Sequence, residues 1–188
     1  AITEIGGFCS WRNFMNFKFN TEYNLTALTA MAKTLRKTVR KRKNTASRIF
    51  GCVVIVLALI LIIPFGDERF VLNFNRIITL AAAIVILAVL LFEDKINAYF
   101  AKKRMIKGTD TAESIFEENE FISETELATS RWQYESIKII AETNNYFVFV
   151  FDMNHAQVYD KKCLSEEKTN EFREFISEKT GLKILEIK

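Results

Sequence analysis

Histidine and cysteine are scarce in this chain, which has one His and three Cys in 188 residues. Cys9, Cys52 and Cys163 are far apart, and His155 has no second His or Cys at ligand spacing, so no disulfide framework, metal site or catalytic cluster is written into the sequence. No cofactor is expected. The acidic run at residues 110–126 has no Gly-bearing, oxygen-rich turn of the calcium-binding kind and reads as a solvated face. The net charge of +3 is modest and localised: Lys and Arg crowd residues 33–48 and 95–107, an asymmetry that a nucleic-acid binder does not need.

Charge is missing altogether from residues 49–63 and 77–92, which contain no Asp, Glu, Lys, Arg or His. At a rise of ~1.5 Å per residue the first run, carried on to Phe65, covers about 25 Å of a hydrocarbon layer ~30 Å thick and the second a similar span, and Arg48 and Arg76 can snorkel to make up the difference. The expected organisation is a transmembrane helical hairpin at residues 48–92, with spans 48–65 and 74–92 and an outside loop 66–73. A basic juxtamembrane helix should follow at 93–107. Lys33, Arg36, Lys37, Arg40–Lys43 and Arg48 precede the first span, and Lys95, Lys102, Lys103, Arg104 and Lys107 follow the second. The connecting stretch carries only Arg69 and Arg76 against Asp67 and Glu68, so the positive-inside rule places both termini in the cytoplasm. Polar groups at membrane depth, which a transport path needs, are absent.

Within the spans, Gly51 and Ala58 in the first and Ala81 and Ala88 in the second lie seven apart. An antiparallel hairpin would set Gly51 against Ala88 and Ala58 against Ala81, and small residues permit close backbone approach; alternatively, alanine is simply common in such segments. Residues 1–47 hold an amino-terminal strand and a basic amphipathic helix. In residues 13–19, Met15, Phe17 and Phe19 alternate with Asn16 and Lys18, the period of a half-buried strand that must find a sheet elsewhere. Leu25, Leu28, Met31, Ala32, Leu35 and Val39 then recur at helical spacing. That helix either lays its basic face on anionic headgroups or packs its apolar stripe on the soluble domain. The chain opens at Ala1 rather than Met, which leaves its true start an open question.

Residues 108–188 read as short strands at 115–122, 126–129, 136–142, 146–151 and 156–159, with strand 13–19 completing the sheet. Every residue of Tyr146, Phe147, Val148, Phe149, Val150 and Phe151 is apolar, as for a strand covered on both faces. A helix follows, capped by Ser165, with Glu166 and Glu167 in its first turn, Phe172, Phe175 and Ile176 as its buried stripe and Gly181 at its stop. Trp132 reads as a core plug with its indole N–H bonded at one edge.

The order of Trp132, Ile137, Ile140, Glu142, Tyr146, Phe147, Ala156, Lys161, Ser165, Glu166, Phe172 and Ile176 resembles the YcxB-like family of bacterial membrane proteins. The amino-terminal strand and helix followed by two spans also look like that family's layout. The resemblance implies an α+β cytoplasmic domain similar to pleckstrin-homology-like folds, a curled antiparallel sheet capped by a carboxy-terminal helix, on a multi-pass protein of the bacterial plasma membrane. Asp160-Lys161-Lys162 stands where that family often has a proline-lysine pair, and Cys163 where an aromatic is commoner.

The expected function is a membrane-anchored, non-enzymatic binding or regulatory module, in a specialised version self-protection against a membrane-active toxin. The alternatives are a structural or homo-oligomeric membrane component and, further off, an enzyme of lipid or envelope metabolism. The expected partners are the anionic inner leaflet and an unknown protein, with no nucleic acid. Candidate headgroup or partner contacts are Arg36, Lys37, Arg40, Lys41, Lys103, Arg104, Lys161 and Lys162.

Overall fold

A computed structural model of the protein describes residues 16–63 and 73–187. Residues 13–15 of the expected strand, Cys9, the end of the first span past Ile63 and all but Asn73 of the expected loop lie outside the described residues.

The apolar runs form two long helices, α2 (Lys41–Ile62) and α3 (Phe74–Arg104). Both are long and apolar enough to cross a membrane, and their most apolar windows are 0% and 6% buried. A core helix of a water-soluble protein would bury that surface; here Leu61 is 74% and Val85 62% exposed, which makes α2 and α3 candidate membrane spans. The first span was expected to begin at residue 48; α2 begins at Lys41, because residues 41–48 contain no helix breaker. The expected juxtamembrane helix is the continuation of α3, which kinks at Phe92 (φ −107°, ψ 16°). Arg48 Nη2 donates to the Leu90 carbonyl at 3.2 Å, and a side chain engaging a carbonyl of the helical ladder is a known cause of kinks.

The remaining residues make two four-stranded sheets, where a single curled sheet was expected. β1 (Phe17–Glu22), β2 (Thr111–Phe116), β3 (Glu120–Glu124) and β4 (Thr129–Gln133) follow one another in one antiparallel sheet. β5 (Ile139–Glu142), β6 (Tyr146–Val150), β7 (Ala156–Asp160) and β8 (Ile184–Glu186) form the other, in the order β7-β6-β5-β8 with β8 parallel to β5. The strand expected at 115–122 is therefore two strands and a turn, and residues 126–128 are turn rather than strand. The amino-terminal strand lies across β2 in antiparallel register, Phe17 opposite Phe116 and Phe19 opposite Ser114.

Two apolar layers explain why β6 has no polar residue. Phe147 and Phe149 face a core shared with Phe17, Phe19, Phe116, Phe121, Tyr159 and the helix α4 (Glu166–Thr180). Val148 and Val150 face the opposite way, onto Ala27 and Leu35 of α1 (Leu25–Lys37). The second sheet is thus sandwiched between the first sheet with α4 on one side and α1 on the other. Asn24 starts α1 by accepting from the Thr26 and Ala27 amides, both at 3.0 Å. Ser165 caps α4, and Gly181 ends it with φ 67°, in the left-handed region that a Cβ disfavours.

Candidate functional site

The apolar stripe of α1 packs on the second sheet and on α3, so the helix joins the domain to the membrane helices instead of lying with that stripe in a membrane surface. Arg36 fixes the joint. Its Nε donates to Asp94 Oδ1 at 2.6 Å and its Nη2 to Oδ2 at 2.7 Å, with side-chain exposures of 18% and 17%. The bidentate carboxylate raises the Arg36 pKa against the opposing effect of burial.

Arg36, Arg40, Asn44 and Arg48 recur every fourth residue through the end of α1 and the start of α2, and each is engaged within the chain. Arg40 donates to the Met153 carbonyl at 2.8 Å and to Asn154 Oδ1 at 3.0 Å, in the turn between β6 and β7. Asn44, its amide oriented to donate, reaches the two Glu93 oxygens at 2.6 and 2.9 Å. Arg48 holds the Leu90 carbonyl at the kink. Together they lace one end of α2 to α3 and to the domain.

Beside this lacing, α2, the end of α1 and Ile187 border an open-sided cavity of about 830 Å³. Lys41, Thr45 and Arg48 line its polar end, and Ile49, Val53 and Leu57 its apolar end on the same face of α2. A second groove of about 1010 Å³ runs between α1, α3 and the β5–β6 turn, with Leu25, Lys33, Lys95, Tyr99 and Tyr146 among its walls. These volumes match the ~300–1,000 Å³ range of small-molecule sites.

A further polar cluster sits at the end of the second sheet. Glu142 accepts from Lys161 Nζ at 2.5 Å and from Arg173 Nη2 at 2.7 Å through one oxygen, and from Arg173 Nε at 2.8 Å through the other. Burial pushes the Glu142 carboxyl up, but the hydrogen bonds from Arg173 and Lys161 outweigh it and hold the pKa below its ordinary value. Arg173 also donates to Asn170 of its own helix.

Among the expected headgroup contacts, Arg36 and Lys161 pair with largely buried carboxylates, Asp94 and Glu142, and Arg40 donates to the exposed Met153 carbonyl. Lys37 and Lys41 border the 830 Å³ cavity, Lys161 and Lys162 border a smaller cleft beside Arg173, and Lys103 and Arg104 are exposed at the end of α3. Of the small residues, Gly51 is buried, with Leu90 Cδ1 lying 3.0 Å from where an added Cβ would sit, and Ala81 is exposed, whereas its neighbour on α3, Ala83, is buried.

His155 lies in the β6–β7 turn with its ring 5.0 Å from Trp132. The Trp132 ring lies 4.7 Å from that of Phe151, tilted by 32°, but among the described residues its buried indole N–H has no acceptor, contrary to the edge hydrogen bond expected for it. No group of His, Cys, Asp and Glu suited to a metal ion occurs among the described residues. Sequence reasoning missed Glu93 and Asp94, although an acidic pair directly after an apolar run, facing the basic residues 36–48, was a readable signal of complementary charge. Ile187 carried no signal, because its role depends on β8 bringing the tail back to the joint.

The architecture is a two-sheet domain with a carboxy-terminal helix, carried on two candidate membrane-spanning helices. Within it, residues 116–176 match the family described as YcxB-like protein, and every residue on which the resemblance rests, from Trp132 to Ile176, falls inside the match. No curated protein and no solved structure matches the chain. The Glu142–Lys161 ion pair joins two of those residues across the sheet end.

Proposed function

We propose that the chain is a membrane-anchored, non-enzymatic binding module that presents a pleckstrin-homology-like domain at the cytoplasmic face of the bacterial plasma membrane. One observation carries this reading: α1 is shared between the domain and the membrane helices, and Arg36–Asp94 locks it to α3 at the level where α3 kinks. A domain merely tethered by a linker would not need a buried ion pair at the joint. On this reading the 1010 Å³ groove faces the inner leaflet, and its rim supports a docking role, with Leu25 51% and Tyr99 57% exposed. Exposed apolar and aromatic side chains framing a groove are the usual anchors of a protein partner.

The pleckstrin-like reading is supported by two four-stranded sheets packed over α4 around a common aromatic core. The test is site-specific photo-crosslinking in living cells, with the photoreactive residue at Leu25 or Tyr99 and, as a comparison, at Thr129 on the outer strand β4. A discrete adduct from the two groove positions and none from Thr129 is expected. Fully incorporated probes that give no adduct at the groove would refute the binding-module reading.

A further inference from the structure

The 830 Å³ cavity is amphiphilic along the axis of α2. Its polar end has two cations, Lys41 and Arg48, without a carboxylate partner among the described residues; Arg48 meets only the Leu90 carbonyl. Arg36 lines the same end but is neutralised by Asp94. From Arg48 to Leu57 the helix advances about 13 Å, close to the ~15 Å half-thickness of the hydrocarbon layer. Along that distance the lining is apolar, and Val53, Val56 and Leu57 are 49%, 54% and 54% exposed, open sideways to lipid.

An ordinary lipid-facing helix would offer the same stripe without a wall. Here Arg36 from α1 and Ile187 from the tail close the polar end, and the Ile187 amide is pinned to the Glu142 carbonyl at 2.8 Å. A water-soluble anion would leave the apolar half empty, and a neutral lipid would leave two cations without a counter-charge. The occupant that matches both halves comes from the bilayer. Basic pockets at the cytoplasmic edge of membrane helices recognise anionic headgroups in this way.

We infer that this cavity seats one anionic glycerophospholipid, its phosphate between Lys41 and Arg48 and one acyl chain along Ile49, Val53 and Leu57. The inference rests on the membrane-anchored reading but not on any protein partner. Its test therefore uses the purified full-length chain alone, so a failure leaves the crosslinking result standing and the reverse also holds.

The chain is released from micelles containing phosphatidylglycerol, phosphatidylcholine or soluble glycerol phosphate and examined by native mass spectrometry. One retained phosphatidylglycerol per chain is expected, at least tenfold over phosphatidylcholine, with no glycerol phosphate retained. The double change Lys41→Gln and Arg48→Gln should lower retention about tenfold. Lys138→Gln with Lys168→Gln, which removes the same charge from exposed positions outside the cavity, should leave retention within twofold. Val56→Trp, which fills the apolar half with every charge in place and lies on an exposed face, should also lower it about tenfold. Equal loss from the two charge-removing pairs, equal retention of phosphatidylcholine, retention of glycerol phosphate or an inert Val56→Trp would each overturn the inference.

Discussion

Arg36 on α1 and Asp94 on α3 face each other through two parallel hydrogen bonds of 2.6 and 2.7 Å, and this pair joins the sheet domain to the membrane helices. The two residues are 58 positions apart, so the contact closes the chain around the whole of α2 and most of α3. Both side chains are mostly out of solvent. Removing one partner leaves the other charge half-buried and unpaired, which costs more than the net worth of the pair.

Asp94→Asn is expected to lower stability by about 1–3 kcal/mol, in line with the loss of hydrogen bonds to a charged group. The joint should loosen before the domain does. Hydrogen exchange in detergent micelles checks this: amides of α1 and of residues 90–98 should lose protection while those of β6 keep theirs. Uniform loss across α1 and β6 would mean that the pair holds the domain together rather than the joint.

Much of this arrangement was readable from residue patterns. The charge-free runs 49–63 and 77–92 announced α2 and α3, two helices long and apolar enough to cross a membrane. The unbroken apolar character of β6 announced cover on both faces, and the alternation at Phe17 and Phe19 announced a strand in need of a sheet. The division into two sheets was not readable, because it falls at the turn Tyr134–Ser136 between β4 and β5, where the residues read as the start of a strand; the break that parts β2 from β3 was hidden too, since Glu117, Glu118 and Asn119 look like any polar strand face. What meets Gly51 was not readable either: small residues mark a close approach, but the atoms against Gly51 belong to the long side chain of Leu90. The site itself was half legible. Basic residues were evident, but which of them are consumed internally depends on Asp94, Glu142 and the turn at Met153, all distant in sequence.

Phe19 has no exposed surface and lies 4.8 Å from the Phe172 ring, 5.5 Å from Phe116 and 5.6 Å from Tyr159. Phe19→Ala should destabilise the domain by about 3–5 kcal/mol, the usual range for an aromatic removed from a core. A fragment beginning at Gly108 lacks β1 altogether and leaves β2 with an open edge, so it should aggregate or give poor amide dispersion. Fusing residues 10–38, which carry both β1 and the α1 cover of the second sheet, to it through a flexible linker should restore a cooperative unfolding transition. Identical unfolding temperatures for the two fragments would show that β1 and α1 are dispensable.

Glu142 makes stability depend on pH with a definite sign. Its folded pKa lies below the ordinary 4.5, so its contribution is complete at neutral pH and is lost as the pH falls through the lowered folded value. Glu142→Gln should therefore cost about 1–3 kcal/mol at pH 7 by leaving Lys161 and Arg173 without their carboxylate. The difference in thermal midpoint between the native chain and Glu142→Gln should shrink on acidification below pH 4.5. A difference that stays constant from pH 7 to pH 3 would show that the carboxylate's charge contributes nothing.

A module that works at the inner face of the membrane requires its domain to be inside, and cysteine accessibility measures that directly. In a chain freed of Cys9, Cys52 and Cys163, single substitutions Asp67→Cys, between the two helices, and Lys162→Cys, on the exposed turn after β7, are treated with a membrane-impermeant maleimide in osmotically intact spheroplasts. The expected result is labelling of Asp67→Cys before lysis and of Lys162→Cys only after it. Labelling of Lys162→Cys in intact spheroplasts, with Asp67→Cys protected until lysis, would contradict the account.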